Sequence, residues 1–153
     1  MLFRSYARMA GKPAATLLHL GPGLANGLAN FHNARKARTP IVSIVGEHST
    51  KHLAYDAPLT ADIDAFARTV TDQVFRMESP AVMGETAAQV IAAARRYPGR
   101  TAMLIIPADY SWSEGGPVST APARPVPRFG SIGTIVDACR SSENLGFILG
   151  GQT

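Results

Sequence analysis

A glycine-proline-glycine tripeptide at residues 21–23 is the most informative local feature of the sequence. It follows a short apolar run, Thr16–Leu20, and precedes a stretch with apolar residues at helical spacing, Leu24–Arg38. A strand-to-helix turn of this kind lets backbone approach a bound group, and the helix N-terminus beyond it offers unpaired N–H donors. The tripeptide lacks the lysine and Ser/Thr of a phosphate-binding loop and the full spacing of a dinucleotide fingerprint. A ligand contact and a purely structural tight turn are therefore both open.

An asparagine and two histidines are the next candidates. Asn26 falls within the first turns of the predicted helix, where asparagine is unfavourable by propensity, so it serves either in hydrogen bonding to a ligand or near the helix cap. His48 and His52 follow a second apolar run, Ile41–Val45, and could act as acids or bases near neutral pH. A zinc site and simple solvated side chains are the alternatives, and no third zinc ligand is evident nearby.

Other reactive side chains have structural explanations. His19 lies within an apolar run and is predicted to be a core residue. Asp62 and Asp64 suit the N-terminus of a helix, where negative charge is stabilised. Cys139 is the single cysteine, so neither an internal disulfide nor a cysteine-based metal site is possible, and a small buried residue is expected. No Gly-x-Ser-x-Gly motif supports a serine nucleophile.

Composition predicts an ordinary globular protein. Of the 153 residues 46% are hydrophobic and 17% are charged. No apolar run approaches the roughly 20 residues that cross a bilayer, and the start lacks a secretory signal, so a cytoplasmic protein without membrane contact is expected. The net charge is +4, but only Arg35, Lys36 and Arg38 cluster, at a predicted helix end where cations offset the macrodipole. No nucleic-acid partner is therefore expected.

The order of elements predicts an α/β fold with a parallel sheet and helices on both faces. The predicted strands are Thr16–Leu20 (a central strand), Ile41–Val45, Thr69–Asp72 (a short edge strand) and Ala102–Ile106. The predicted helices are Leu24–Arg38, Ala61–Ala67 and Gly84–Tyr97. The first two strands and the helix between them should form a parallel βαβ unit.

The composition changes after this unit. Prolines at 117, 122, 125 and 127 and the absence of apolar periodicity predict a linker over residues 108–130. A helix from Ser131 to Arg140 and a strand at Leu145–Leu149 then indicate the beginning of a second α/β domain. The predicted division is therefore 1–107, 108–130 and 131–153.

Together these motifs resemble a known family, the N-terminal pyrimidine-binding domain of thiamine diphosphate enzymes, and within it the acetolactate synthase-like group. The resemblance covers the chain after about Ser5. Its segments are Tyr6–Pro13, Gly21–Asn26, Thr39–Gly46, Gly46–Asp62 (the loop after the second strand), Leu104–Asp109 (the last strand of the domain) and Phe147–Gly151 (the first strand of the middle domain).

The resemblance implies a cofactor and a partner. In this family thiamine diphosphate lies between two subunits, so a homo-oligomer or pairing with a full-length relative is expected. Pro22 and Asn26 match positions that contact the pyrimidine end, and Gly21 and Gly23 would keep the backbone close. His48 and His52 fall, more loosely, where the family places polar groups on the substrate side. The diphosphate would be held through Mg²⁺ by a C-terminal domain that this sequence lacks, and no residue here is expected to bind a metal.

The sequence also departs from the family. The glutamate that bonds the pyrimidine nitrogen and promotes loss of the thiazolium proton would precede Met1. No glutamate occupies the matching position, so no catalytic residue is assigned; the glutamates are Glu47, Glu78, Glu85, Glu114 and Glu143. We therefore expect a truncated protein with exposed sheet edges and negligible catalysis, whose parent forms or cleaves C–C bonds of 2-keto acids such as pyruvate.

Two alternatives belong to other classes. The chain could be a non-catalytic interaction module that pairs with a full-length relative through the face near residues 21–33. A free-standing nucleotide-binding α/β domain is disfavoured, because the phosphate-loop lysine and the ribose-binding acidic residue are not at their spacings.

Overall fold

The chain is built on a four-stranded parallel sheet. The computed structural model describes residues 2–124 and 130–146. The strands are β1 (Ala14–His19), β2 (Ile41–Glu47), β3 (Gln73–Arg76) and β4 (Thr101–Pro107), in the spatial order β1-β2-β4-β3. The helices are α1 (Leu2–Ala10), α2 (Leu20–Lys36), α3 (Ile63–Val70), α4 (Met83–Arg95), α5 (Ala108–Ser111) and α6 (Ile132–Ser141), and a 3₁₀ turn covers Pro80–Val82.

Each face of the sheet carries its own hydrophobic core. Alternate residues of a strand point to opposite faces, so neighbouring residues of β4 belong to different cores. On one face α2 and α3 pack against β2 and β4 through Leu24, Phe31, Ile63, Val45, Met103 and Ile105. On the other face α4 packs through Val90, Ala93, Ala94, Ala102 and Leu104. The predicted α/β class, with helices on both faces of a parallel sheet, is confirmed.

Strand β1 lies at an edge of the sheet, whereas the sequence predicted a central strand. Among the described residues β1 pairs only with β2. Its alternate residues Ala15, Leu17 and His19 are exposed, Leu17 to 76%. The predicted burial of His19 is therefore wrong, because no described element covers that face of β1. The parallel pairing of β1 and β2 around α2 agrees with the predicted βαβ unit.

One other prediction from local pattern is wrong, and one element was not predicted. The strand expected at Thr69–Asp72 is displaced to β3, because α3 continues to Val70 before the chain extends. Helix α1 was not predicted at all. It is held by buried Ala7 and by Phe3, whose ring lies 5.5 Å from that of Phe31.

The segment after α5 lies partly against the 3₁₀ turn that precedes α4. Beyond α5, residues 112–124 contain no helix or strand, and the Gly116 N–H donates to the Pro80 carbonyl at 3.0 Å. Helix α6 follows Ser131, as predicted, whereas the strand predicted at Leu145–Leu149 and the Phe147–Gly151 segment extend outside the described residues. No helix in the described part of the chain is both long and apolar enough to cross a membrane.

Candidate functional site

The carboxyl edge of the sheet brings together the segments that the sequence singled out. His19, Gly46 and Ile106 are register partners across β1, β2 and β4, so these three strands end side by side. The first turn of α2, the loop 48–62 and the short helix α5 start within a few residues of this row. Ligands of parallel α/β folds bind outside this edge, because loops there are free to vary above a rigid sheet.

The glycine-proline-glycine tripeptide lies inside the helix and does not form a separate turn. Helix α2 begins at Leu20, four residues earlier than predicted, directly after the last residue of β1. The chain changes direction at Leu20, whose φ of +57° is left-handed and costs a residue with a side chain on the order of 1–3 kcal/mol. Since the first N–H groups of a helix have no partner within it, Pro22 sacrifices no hydrogen bond there.

Gly21 is required by close packing with the loop that precedes α3. A methyl group at Gly21 would lie within 3.0 Å of the Ala61 Cβ, a separation that real side chains do not adopt. At Gly23 the corresponding methyl would make ordinary contact, 3.6 Å from the Leu18 carbonyl carbon. The first glycine therefore fixes the helix start against the loop, and the second does not.

Pro22 and Asn26 lie one helical turn apart on the outer surface of α2, and both are exposed. No charged residue occurs between Leu20 and Ala34 in this helix. The helix N-terminus carries no side-chain cap, so the N–H groups of its first turn are not used by His19. The result is an uncharged, exposed surface that carries an amide side chain near the start of the helix.

The two histidines lie in the loop after β2 and have different surroundings. His48 is half-buried, and its Nε2 has no hydrogen-bond partner among the described residues. His52 is exposed, and its backbone N–H closes a turn onto the Ser49 carbonyl at 2.8 Å. In the described ranges no group of three or more His, Cys, Asp or Glu is placed to hold a metal ion.

Glu47, the last residue of β2, is a buried carboxylate at this edge that the sequence analysis did not select as a site residue. Only 6% of it is exposed, and its Oε1 accepts from the His48 N–H at 3.0 Å. Arg76 approaches its Oε2 to 3.6 Å and also pairs with Asp64. A charged group at the end of an apolar strand is the signal that could have identified it, because such a group needs a partner when buried.

A hydrogen-bonded clasp joins the loop after β2 to α5. Thr50 donates to Asp109 twice, from its N–H at 3.0 Å and from its hydroxyl at 2.6 Å. The side-chain hydrogen bond from Thr50, followed by the backbone one, lowers the pKa of Asp109 below its ordinary value. The clasp fixes the loop that carries both histidines.

Two aspartates lie at the start of α3, where the sequence predicted that the helix N-terminus stabilises their negative charge. Asp62 is the N-cap of α3 and accepts from the Ala65 N–H at 2.8 Å. Asp64 lies in the first turn and pairs with Arg68 and Arg76. Asp62 and Asp64 therefore serve the helix start and do not form a pair of neighbouring carboxylates.

Cys139, on α6, is half-buried and has a free thiol.

Comparisons with known proteins define the class of the chain. The sequence profile of the family "Thiamine pyrophosphate enzyme, N-terminal TPP binding domain" matches residues 4–78. Residues 4–78 therefore resemble this N-terminal domain, which confirms the resemblance that the sequence motifs had indicated.

Two particular proteins are similar to it. A Mycobacterium tuberculosis protein, provisionally named acetolactate synthase large subunit IlvX, is 50% identical over 152 residues, which cover 96% of this chain. The chain spans 28% of that curated relative's length. An X-ray structure of a Mycobacterium smegmatis protein, provisionally described as a thiamin diphosphate-dependent enzyme, matches with a TM-score of 0.71 at 22% identity. That match covers 82% of this chain and 24% of the other, and it shows a shared fold.

The carboxyl edge fits one end of the cofactor that this family binds. The surface formed by Pro22 and Asn26 is neutral, which is compatible with an uncharged aminopyrimidine ring, and Gly21 keeps the α2 backbone near the loop. A magnesium-bound diphosphate calls for oxygen ligands from carboxylates or amides. None of Gly21, Pro22, Gly23 and Asn26 carries a carboxylate, and Asn26 offers only a single amide oxygen. These residues therefore suit the pyrimidine end only.

Proposed function

We propose that this chain provides the pyrimidine-binding half of a thiamine diphosphate site in an acetolactate synthase-like enzyme, a lyase or transferase acting on 2-keto acids. The profile match over residues 4–78 and the 50% identity to the curated relative support the cofactor class. The observation that carries the assignment of residues is the neutral, exposed start of α2 at the carboxyl edge of the sheet.

In this proposal the residues of α2 bind and orient the pyrimidine ring. Pro22 contacts the ring face, the Asn26 amide hydrogen-bonds its polar edge, and the small residues Gly21 and Gly23 leave room for close approach of the backbone. His48 and His52 lie on the substrate side, where an imidazole can hold or move a proton. When bound, the cofactor supplies a nucleophilic carbon for attack on the keto group.

The remaining half of the site is proposed to come from elsewhere. Mg²⁺ and the diphosphate grip belong in this family to a C-terminal domain, and the pyrimidine nitrogen needs a glutamate that no residue of this sequence matches. We therefore expect the chain alone to have negligible activity and to work with a second copy or a full-length relative. A cytoplasmic location remains a prediction from the sequence.

The test compares activity and pairing of the whole chain. The chain alone, given thiamine diphosphate, Mg²⁺ and pyruvate, should not release CO₂ or form acetolactate above the rate without protein. Turnover by the chain alone would refute the expected inactivity. Binding of thiamine diphosphate should be weakened by Asn26→Ala, with Asn33→Ala, another exposed asparagine of α2, as the matched control. Equal losses in both variants would refute the role of Asn26.

A second function, a non-catalytic interaction module, is supported by the same helix. The outer surface of α2 around residues 21–33 is exposed yet carries no charged side chain. Solvent-facing helix surfaces normally carry charges, so this composition is typical of a surface that a partner covers. Ala29→Arg should abolish co-purification with a full-length relative, whereas Gln89→Arg, on the exposed surface of α4, should not. Retained pairing in Ala29→Arg would exclude this face.

A further inference from the structure

A cavity lined by cations lies at the opposite, amino edge of the sheet. Its volume is about 540 Å³. Four positively charged side chains contribute to its wall, Arg8, Lys12, Arg95 and Arg124, and three prolines and two glycines supply most of the rest. The residues assigned to the cofactor, Gly21 to Asn26, do not line it. It is therefore separate from the proposed thiamine diphosphate site.

The fold collects these cations from distant parts of the sequence. Arg8 is in the last turn of α1 and Arg95 is the last residue of α4, and both helices precede a strand of the parallel sheet. Helices that lead into parallel strands end at the amino edge, so their C-terminal residues meet there. Lys12 lies just before β1, and Arg124 reaches the cavity from the segment that follows α5. The sequence shows them only as scattered basic residues.

The positive charge of the cavity is not balanced by protein groups. Within the described ranges no aspartate or glutamate lines the cavity, and none of the four cations forms an ion pair. The C-terminal ends of α1 and α4 each contribute about half a negative charge, which leaves roughly three positive charges uncompensated. An anion in the cavity would relieve this repulsion.

Neighbouring aromatic rings hold two of the cations in place. The Lys12 ammonium lies 5.8 Å from the centroid of the Tyr6 ring, and the Arg124 guanidinium lies 5.8 Å from that of Tyr97. Such contacts limit the rotamers of long side chains at little cost to their charge. Part of the side-chain entropy that ligand binding would cost is therefore already lost in the free protein.

We propose that this amino-edge cavity binds a small, multiply charged anion of the phosphate-ester class. Its volume falls in the range of small-molecule sites, roughly 300–1,000 Å³. Three guanidinium groups and one ammonium provide the forked and point-charge donors that recognise phosphate oxygens. The four cationic residues line one concave site, whereas a nucleic-acid surface presents them along an extended stripe. This inference is independent of the thiamine diphosphate proposal.

The experiment measures binding of inorganic pyrophosphate to the whole chain by titration calorimetry at low ionic strength. The cavity variant is Arg8→Gln/Arg124→Gln, and the matched control is Arg35→Gln/Lys36→Gln, which removes two charges from the end of α2 outside the cavity lining. We expect at least tenfold weaker binding in the cavity variant and less than threefold in the control. Arg124→Gln alone, outside every helix and strand, should give an intermediate loss without affecting folding.

Three results would overturn the proposal. Equal losses in the two double variants would show a diffuse surface field in place of a site. Absence of pyrophosphate binding at millimolar concentration would show that the cavity does not select such anions. Tighter binding of a DNA duplex than of pyrophosphate, with equal sensitivity to both double variants, would indicate a nucleic-acid surface. Neither of the last two results bears on cofactor binding at the carboxyl edge.

Discussion

Replacing Gly21 by alanine should destabilise the protein, although alanine is the better helix former. The added methyl group would overlap the Cβ of Ala61 in the loop before α3. Relief requires either that loop or the start of α2 to move, because the overlapping atom is attached directly to backbone. Leu20, the residue before Gly21, has a left-handed φ of +57°, and this turn leaves the start of α2 little freedom to move away from the loop.

The size of the effect follows from two opposing contributions. Overpacking by one methyl group costs about 1–3 kcal/mol. Helix propensity favours alanine over glycine by at most about 1 kcal/mol, and less in the first turn. Gly21→Ala should therefore lose about 1–2 kcal/mol of unfolding free energy. Gly23→Ala, where the new methyl meets its nearest neighbour at 3.6 Å, should be neutral or slightly stabilising.

A double-mutant cycle isolates the overlap. Ala61→Gly removes the atom with which the new methyl collides, leaving the Ala61 Cα at 3.6 Å and the Leu59 carbonyl oxygen at 3.7 Å as ordinary contacts. Urea unfolding of the wild type, the two single variants and Gly21→Ala/Ala61→Gly should give a coupling of about 1–3 kcal/mol. Additive effects would show that the helix start and the loop are not in contact, and would refute this account of Gly21.

Two further outcomes are expected at the same edge of the sheet. Thr50→Val should raise the pKa of Asp109 toward the ordinary aspartate value, because the hydrogen bond that lowers this pKa most is lost. Because the pKa of Asp109 is lowered in the folded protein, the clasp contributes stability at pH values above the ordinary aspartate pKa, and this stability is lost as the pH falls through the folded pKa. A carbon-13 titration of the Asp109 carboxyl group that shows the same pKa in Thr50→Val and in the wild type would contradict the clasp. Arg76→Met should cost about 1–2 kcal/mol in urea unfolding, because it leaves buried Glu47 without its cation. Arg68→Met, at a side chain 69% exposed, should cost less than about 0.5 kcal/mol, and equal losses would refute the difference in burial.

The elements predicted well from the sequence are those whose limits are set by nearby residues. Strand β4 and helix α4 end at Pro107 and at Arg95, close to where proline and glycine signals placed them. Strand β2 is a β-branched run that begins directly after Pro40. In each case the determining interactions lie within a few residues of the element.

The features that were missed depend on residues far apart in sequence. Exposure of His19 follows from the edge position of β1, which a single strand does not encode. The Thr50–Asp109 clasp spans 59 residues. The cationic cavity at the amino edge forms because the sheet brings successive helix ends together. The sequence shows its basic residues but not their proximity.

The two functions proposed for the carboxyl edge use the same surface, and this allows them to be separated. Asn26 lies on the exposed face of α2 that a partner subunit would cover, so partner and cofactor are in contact if both are bound. If the partner completes the thiamine diphosphate site, linkage requires the cofactor to strengthen pairing by the same factor by which pairing strengthens cofactor binding. If the partner only covers the face, thiamine diphosphate should leave the affinity of pairing unchanged or weaken it by competition. The dependence of the pairing constant on thiamine diphosphate therefore distinguishes an enzyme half-site from an interaction module without any measurement of turnover.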